Sequence, residues 1–229
     1  MIQYGLRQCV RYGGFVASLM VWWAVLQWNS GKAVTCIVVA GGVLLLFPIA
    51  LVGRRILQAH PTCEFAERSA SVIHYLIMIP VGAAIFKAIQ TVQRAPGSAL
   101  PIPPQVGLTL MVISGFLALM TVGNLALKGL GAPFAIALSR RLASSWLYSR
   151  TRNPMILTFL LFLISTGLWQ GSIWFLAWVF CLVAPALLFM VKIYEERELE
   201  LRFGEAYRDY RAKTPFLVPW KRKRKQVGS

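Results

Sequence analysis

The chain has 229 residues, of which 57% are hydrophobic and only 14% are charged. A soluble globular domain carries about 25% charged residues, so this composition excludes an ordinary water-soluble protein and indicates an integral membrane protein. The net charge of +16 is high enough for nucleic acid binding. The basic residues, however, stand at the ends of apolar segments, as in the loops of membrane proteins, so no nucleic-acid partner is expected.

Six apolar segments are predicted to span the bilayer, because a span needs about 20 mostly apolar residues. In chain order they cover 13–29, 33–52, 71–89, 106–127, 154–169 and 172–193. The short connection through Gln170 and Gly171 predicts that the last two spans form a tight helical hairpin. The predicted fold class is therefore all-α, a polytopic membrane protein with about six transmembrane helices.

A further helix is predicted beyond the last span, over residues 194–212. Its apolar residues recur at spacings of three and four, which predicts one apolar stripe on an amphipathic cytoplasmic helix. The stripe consists of Leu199, Phe203, Tyr207 and Tyr210. Pro215 and Pro219 then end the regular structure, and 221–229 is expected to be disordered.

The distribution of basic residues predicts the orientation of the chain. With both termini on one side of the membrane, that side holds 21 of the 24 Lys and Arg residues, and the other side holds only Lys32, Lys87 and Arg94. The positive-inside rule then predicts a multi-pass protein of the cytoplasmic (inner) membrane with both termini cytoplasmic. The first apolar run is expected to be a retained span rather than a removable signal peptide. The terminal basic run 221–225 is expected to touch anionic lipid.

Several residues inside the spans are polar or small. His74 in the third span is interpreted as a buried polar contact rather than a ligand, although ionisable groups inside a membrane often have a function. Gly107, Gly115 and Gly123 in the fourth span are predicted to permit close helix approach. The four cysteines are scattered without a Cys-x-x-Cys spacing, so neither a disulfide framework nor a metal site is expected.

The connections between spans differ in character. Residues 94–105 contain several prolines and are predicted to form a rigid irregular loop on the far side. The connection 128–153 is longer than two neighbouring helices need, which is typical of a functional segment.

The acidic residues are concentrated at one place in the chain. Six of the eight lie between Glu195 and Asp209, directly after the sixth span. Glu195 and Glu196 are neighbours, so on a helix they point about 100° apart and at most one can face a given pocket squarely. Arg150 and Arg152 stand at the start of the fifth span, and the hairpin brings both ends to the same membrane side.

Two interpretations of this arrangement remain open from spacing alone. The arginines and glutamates could form an internal ion pair that closes the hairpin. They could instead bind a zwitterionic amino-acid group, with its ammonium on a glutamate and its carboxylate on an arginine or a helix N-terminus. Pro154 suits the first turn of such a helix.

The order of these motifs resembles a known family. Arg152-Asn153-Pro154-Met155, a hairpin, and then Glu-Glu-x-x-Leu-x-x-x-Phe-Gly-x-x-Tyr-x-x-Tyr from Glu195 onward resemble the superfamily of isoprenylcysteine carboxyl methyltransferases and phospholipid methyltransferases. Gly131-Ala132-Pro133 and the segment 142–148 resemble the family's approach to the first motif. The resemblance covers about 131–219. It predicts N-terminal transmembrane helices over 1–130, a cofactor-binding region over 131–219 and a basic tail over 220–229.

The resemblance implies S-adenosylmethionine as cofactor and a membrane lipid, prenyl group or other membrane-embedded molecule as methyl acceptor. It assigns Arg152, Asn153, Pro154 and Met155 to the lining of the cofactor pocket. Glu195 and Glu196 would hold polar groups of the methionine or the ribose. The aromatic residues would pack beside the pocket or close it, namely Tyr148, Phe203, Tyr207 and Tyr210. Arg150 and Arg197 are the candidates for a catalytic role, orienting a carboxylate acceptor.

The chain also departs from the family pattern. Trp146 stands where a glycine is common, Ile156 and Thr158 replace a tyrosine and a glycine, and Phe216 stands where an arginine is common. These departures indicate either a different substrate or a lost activity. The rival interpretations are a non-catalytic membrane scaffold and a small transporter subunit; a transporter should show internal repeats, and none is found.

Overall fold

The computed structural model describes residues 2–92, 100–127 and 142–219, and the side chains within 12–91, 100–125 and 142–219. These residues form helices and no strand. Six apolar helices follow one another: α1 (Ile2–Gln27), α2 (Lys32–Ala59), α3 (Cys63–Val92), α4 (Pro104–Leu127), α5 (Pro154–Trp169) and α6 (Ile173–Lys213). α2, α3, α4 and α6 are long and apolar enough to cross a membrane, while α5 and the apolar part of α1 are shorter. The all-α, polytopic prediction is confirmed.

The helices alternate in direction along the chain. α1 runs parallel to α3, since Gly14 lies against Tyr75 and the indole Nε1 of Trp22 donates to the carbonyl of Ile79 at 3.0 Å. α2 runs parallel to α6, since Trp178 donates to the Val39 carbonyl at 3.2 Å and Gly53 lies against Tyr194 further along both helices. We call the end that holds the start of α5 and the charged half of α6 the corner end. The opposite end, with Gly171, is the turn end.

The core lies where α2, α3, α5 and α6 meet, with apolar side chains fully buried; examples are Leu46, Ala84, Leu163, Phe175 and Val183. α4 lies outside this core and packs along α5. A Cβ on Gly107 would collide with the backbone of Trp169, whereas one on Gly115 would make an ordinary contact with Phe162 at 3.6 Å. The predicted close approach is therefore confirmed at Gly107. On Gly123, a Cβ would meet no described atom within 4 Å.

The predicted hairpin between α5 and α6 is confirmed. Gly171 adopts a positive φ of 63° and ends α5. Ser172 then caps α6, because its hydroxyl accepts a hydrogen bond from the Phe175 backbone N–H at 3.2 Å. The connection from α3 returns to this turn, where the Leu100 N–H donates to the Gly171 carbonyl at 2.8 Å.

The predicted sixth span and the helix predicted after it form one continuous helix. The helix does not stop where the apolar run ends at residue 193; it continues through a π-helical turn, Val191–Glu195, and into Glu196–Lys213. The change from apolar to charged residues marks the passage from lipid to water, and the helical backbone hydrogen bonds continue across it. A kink does occur at Gly204, where φ is 55° and ψ is −125°. The stripe from Leu199 to Tyr210 therefore does not lie on one straight helix.

The turn end buries a basic side chain. Lys87 is 4% exposed and donates to the backbone carbonyl of Trp28, and Gln90 donates to the Leu26 carbonyl at 3.0 Å. The last carbonyls of a helix have no partner within the helix. α3 therefore supplies the C-terminal cap of α1.

Some sequence-based predictions lie outside the described residues. They concern the first half of the irregular loop 94–105, the part of the long connection over 128–141 that includes Gly131-Ala132-Pro133, and the tail 220–229.

Candidate functional site

Three segments meet at the corner end: the approach to α5 over 142–153, the charged half of α6, and the segment 214–219 that follows α6. Backbone and side-chain hydrogen bonds join the first to the last. The Arg152 N–H donates to the Pro215 carbonyl at 2.9 Å, and the Asn153 amide donates to the Phe216 carbonyl at 2.8 Å. The Thr151 hydroxyl donates to the same Phe216 carbonyl at 3.3 Å. The motif residues are thus held by the end of the described chain.

Arg152 and Glu196 form a buried ion pair at the centre of this corner. Nη1 of Arg152 lies 2.6 Å from Oε1 of Glu196, with side-chain exposures of 9% and 7%. The other oxygen, Oε2, lies 2.9 Å from Nζ of the exposed Lys192. The ring of Phe216 covers both cations, at 5.5 Å from the Arg152 Cζ and 5.3 Å from the Lys192 Nζ. The internal ion pair, one of the two interpretations left open by spacing, is therefore present.

This ion pair leaves one buried donor without a partner. A buried pair is favourable only when its remaining donors and acceptors are also hydrogen-bonded. Nε of Arg152 is buried and has no hydrogen-bond partner among the described residues. Such a buried donor in a structure calls for an explanation, and a bound ligand is one of the recognised explanations.

Glu195 faces different neighbours from Glu196, as expected for adjacent helical positions. It is partly buried and forms no ion pair with any residue that the structure describes. The predicted span ends at residue 193, so Glu195 lies beyond it. Burial raises the pKa of the Glu195 carboxyl from 4.5 to about 7; His74 lowers this pKa, while the charges of Glu198 and Glu196 raise it. Glu195 therefore exchanges its proton near neutral pH.

Sequence reasoning missed two features around Glu195. Its electrostatic interaction with His74 of α3 depends on how α3 and α6 are rotated against each other, and no local pattern reports that rotation. The second feature is a buried ion pair one turn further along, between Glu198 and Arg202 at 2.8 Å. The i,i+4 spacing was visible, but its burial was not.

The tyrosines predicted to surround the pocket do converge on this corner. The Tyr210 hydroxyl donates to the Tyr148 carbonyl at 2.6 Å, and Tyr207 is 2% exposed. Burial raises the pKa of Tyr148 and of Tyr207 well above the ordinary value, and nearby Glu195 and Glu196, respectively, add to this. Burial also raises the pKa of Tyr210 to about 12. These phenols therefore stay protonated at neutral pH.

Other predicted site residues lie apart from the Arg152–Glu196 pair. Arg150 is exposed, and Arg197 lies 3.5 Å from Glu200 on another face of α6. Phe203 packs against Arg202, with 5.1 Å from the Arg202 Cζ to the ring centroid. The described contacts give neither Arg150 nor Arg197 a place beside the pair, so their catalytic role stays a prediction.

The N-terminus of α5 has no side-chain cap among the described residues. Pro154 occupies its first turn and is buried, and Met155 is partly buried. Asn153 stands at the N-cap position, where an asparagine side chain usually accepts hydrogen bonds from the first turn. Here that side chain makes no cap hydrogen bond and donates to the Phe216 carbonyl instead. The Asn153 side chain thus leaves the start of α5 uncapped, and uncapped N–H groups at the start of a helix bind anions.

Two of the departures from the family pattern can be read in the structure. Trp146 adopts a positive φ of 58°, the left-handed region that favours glycine, which is the residue common at this position. Thr158 is buried, and its hydroxyl donates to the Pro154 carbonyl within α5 at 2.9 Å. The first departure strains the backbone, and the second adds a side chain whose hydroxyl is already hydrogen-bonded within its own helix.

Comparisons with known proteins agree with the motifs. Residues 104–206 match the phospholipid methyltransferase family, a match that begins at α4 and includes Arg152, Glu195 and Glu196. A segment of 74 residues is 36% identical to methanethiol S-methyltransferase 2 of Bradyrhizobium diazoefficiens. This segment is 32% of the chain and 27% of that relative, so the match spans only about a quarter of the relative's length. No solved structure matches the chain. The resemblance to integral membrane methyltransferases is thereby confirmed over residues 104–206.

Proposed function

We propose that this chain is an integral membrane methyltransferase that uses S-adenosylmethionine. The observation that carries the proposal is the incomplete Arg152–Glu196 pair, whose buried Nε has no partner among the described residues and which stands beside the uncapped start of α5. This arrangement lies inside the segment that matches the methyltransferase family.

The residues at the corner fit the chemical groups of this cofactor. Its carboxylate fits the free donor of Arg152 and the open N–H groups of α5. Its ammonium or ribose hydroxyls fit the carboxylate of Glu195, which has no ion-pair partner among the described residues. Glu196 has both oxygens engaged, so its role is to hold Arg152 and Lys192 in place. Tyr148 and Phe216 provide aromatic surface for the adenine.

When bound, S-adenosylmethionine supplies the methyl group of its sulfonium, and the rest of the cofactor leaves as a neutral thioether. The protein then contributes mainly by holding donor and acceptor in line, and orientation of this kind is worth roughly 7–11 kcal/mol. The buried ion pair and the hydrogen bonds from 151–153 to 215–216 make the corner rigid enough for that task.

The acceptor is proposed to be a lipid, a prenyl group or another apolar molecule that reaches the site from the bilayer. The family description names phospholipids, and the relative's name contains a small apolar thiol. Both kinds of molecule dissolve in a membrane. We place the protein in the cytoplasmic (inner) membrane with both termini in the cytoplasm, where its basic face contacts anionic lipid. The start of α1 and the charged half of α6 lie at the same end of the bundle, the corner end, which supports that orientation.

Radiolabelled methyl transfer tests this function. Purified protein is incubated with methyl-labelled S-adenosylmethionine and either a total membrane lipid extract or an alkanethiol, and the products are separated by chromatography. Label is expected in one acceptor class, and Glu196→Gln should abolish most of it. Glu64→Gln is the matched control, because Glu64 is an exposed acid that pairs with Arg68 in its own helix. Absence of both transfer and cofactor binding would instead favour a non-catalytic scaffold.

A further inference from the structure

The turn of α6 that precedes Glu196 is wider than an α-helical turn. Val191–Glu195 form a π turn, and the Glu196 N–H donates to the Val191 carbonyl, five residues earlier. Such a turn accommodates one residue more than an α-helical turn, and each residue of a helix adds about 100° of rotation. Glu196 therefore points about 100° away from the direction that an unbroken α-helix would give it. Single π turns of this kind are frequent at functional sites.

This rotation decides whether Glu196 meets Arg152. Oε1 of Glu196 lies 2.6 Å from Nη1 of Arg152, which belongs to a different segment, the approach to α5. A carboxylate turned by about 100° around the helix axis would lose that contact. The π turn is thus a geometric condition for the corner. Because the α-helix is by far the commoner form, a tertiary contact has to hold the π turn against relaxation to it.

Two neighbouring residues of α2 contact the π turn. Nη1 of Arg54 donates to the Ile193 carbonyl at 3.4 Å. Gly53 is buried, and a Cβ there would lie 2.7 Å from Cδ2 of Tyr194, whose side chain is fully buried. The small size of Gly53 thus lets α2 approach the π turn closely enough for Arg54 to reach the carbonyl. A side chain that enters the hydrogen-bond ladder is a recognised cause of irregular helix geometry.

The same arrangement occurs a second time between these two helices. α2 contains the π turn Ile37–Gly41, and the indole N–H of Trp178 in α6 donates to the Val39 carbonyl inside it at 3.2 Å. Each helix therefore donates to a carbonyl in a π turn of the other. Both hydrogen bonds join residues 139 positions apart, as expected for one continuous face between parallel helices. The repetition indicates that Arg54 stabilises the π turn of α6 and does not lie beside it by chance.

We propose that Arg54 is a positioning residue of the cofactor site, because its hydrogen bond to Ile193 holds the π turn that directs Glu196 to Arg152. This inference rests on the proposed methyltransferase function. Arg54 lies outside 104–206, the segment that matches the family. Without its donor, the turn relaxes toward an α-helix and Glu196 rotates away. The donors of Arg152 then lose their fixed place at the start of α5.

Cofactor affinity tests the inference with purified full-length protein in lipid nanodiscs. Arg54→Met keeps the apolar stem and removes the donors. Calorimetry should then show S-adenosylmethionine affinity lower by about tenfold or more, the size of one lost hydrogen bond to a charged group. Arg54→Lys keeps a donor and should recover part of the affinity.

Arg55→Met is the matched control. Arg55 is the next residue of α2 and carries the same charge, but its side chain is exposed. Exposed charges are screened by salt, so its removal should leave the affinity within about twofold of the wild type. The comparison separates the hydrogen bond of Arg54 from a general effect of positive charge near the corner.

A second readout needs no cofactor. Glu196→Gln weakens the buried pair with Arg152, so it should lower the denaturant concentration at the midpoint of unfolding. In the Arg54→Met background Glu196 no longer meets Arg152, and the same substitution should lower the midpoint less. Residues that act through one contact show such non-additive effects, whereas independent residues are additive. In the Trp178→Phe background, which removes only the donor at the other π turn, the full shift should remain.

The outcomes separate the inference from the function. If Arg54→Met loses no more affinity than Arg55→Met, the role of Arg54 is overturned even though the cofactor binds. Additive midpoint shifts of Arg54→Met and Glu196→Gln overturn it as well. A wild type that fails to bind S-adenosylmethionine overturns the proposed function, and the role of Arg54 in cofactor binding with it.

Discussion

Each end of this helix bundle buries a basic side chain, and the two are treated differently. At the turn end, Lys87 donates to the carbonyl of Trp28 at the C-terminus of α1. At the corner end, Arg152 pairs with Glu196, and its Nε keeps no partner among the described residues. The Lys87 nitrogen thus has a partner, whereas Nε of Arg152 is a buried donor atom with none among the described residues. The atom without any partner, rather than the burial of the charge, is therefore what makes the Arg152–Glu196 pair a candidate for ligand binding.

The largest effect is expected from Arg152→Met. This change leaves Glu196 buried with only the exposed Lys192 as partner, and breaking a buried pair on one side costs about 3–5 kcal/mol. Denaturant unfolding in detergent measures the loss. The double variant Arg152→Met with Glu196→Leu should recover most of the stability without recovering cofactor binding. If the double variant is as unstable as the single one, the pair is not the source of the cost.

Gly107→Ala should be the next most damaging. The new methyl group would strike the backbone of Trp169, so α4 must move away from α5; overpacking of this kind costs about 1–3 kcal/mol. Gly115→Ala is the matched control, because its methyl would meet only Phe162 at an ordinary distance. Thermal unfolding of both variants checks this. Equal effects at the two positions would contradict the close contact at the turn end.

Lys87→Met should lower the free energy of unfolding by about 1–3 kcal/mol, because the carbonyl of Trp28 loses its donor. Cofactor affinity, measured by calorimetry on the folded fraction, should not change. A loss of affinity comparable to that of Arg152→Met would remove the distinction between the two ends.

Glu195→Gln should change how stability depends on pH. Folding raises the pKa of Glu195 from 4.5 to about 7, so the folded state binds more protons than the unfolded state between these values. The stability of the wild type therefore falls as pH rises from about 4.5 to about 7. Glutamine removes this loss, so the variant should melt above the wild type at pH 8 by on the order of a few degrees, and by less at pH 5. A difference that does not depend on pH would contradict the burial of this carboxylate.

The smallest effect is expected from Trp146→Gly. A non-glycine residue in the left-handed region costs about 1–2 kcal/mol, and glycine removes that cost. The gain is partly offset, because glycine is more flexible in the unfolded chain, so the net stabilisation should be below about 1 kcal/mol. Trp146→Ala keeps the strain and removes the ring, so it should not be more stable than the wild type. If alanine stabilises as much as glycine, the ring rather than the backbone is responsible.

The apolar helices, the hairpin and the meeting of Arg152 with Glu196 could be predicted from the sequence. Apolar length is a local property, and a hairpin places its two ends on the same side whatever the details of packing. The close approach at Gly107 followed from residue size alone.

Other features depend on how whole helices are rotated and joined, and the sequence does not report this. The electrostatic interaction of His74 with Glu195 requires a particular rotation of α3 against α6. Asn153 stands at the N-cap position of α5, but its side chain donates to the Phe216 carbonyl instead of capping the helix. The continuity of α6 could not be seen in the sequence, because the end of an apolar run resembles the end of a helix.

Calorimetric titration of purified protein with S-adenosylmethionine tests the central claim most directly, since that claim concerns the cofactor and the corner rather than the acceptor. The account predicts measurable binding by the wild type, weaker binding by Glu195→Gln and by Glu196→Gln, and wild-type binding by Glu64→Gln. Equal affinity in all four proteins, or no binding by the wild type, would contradict it.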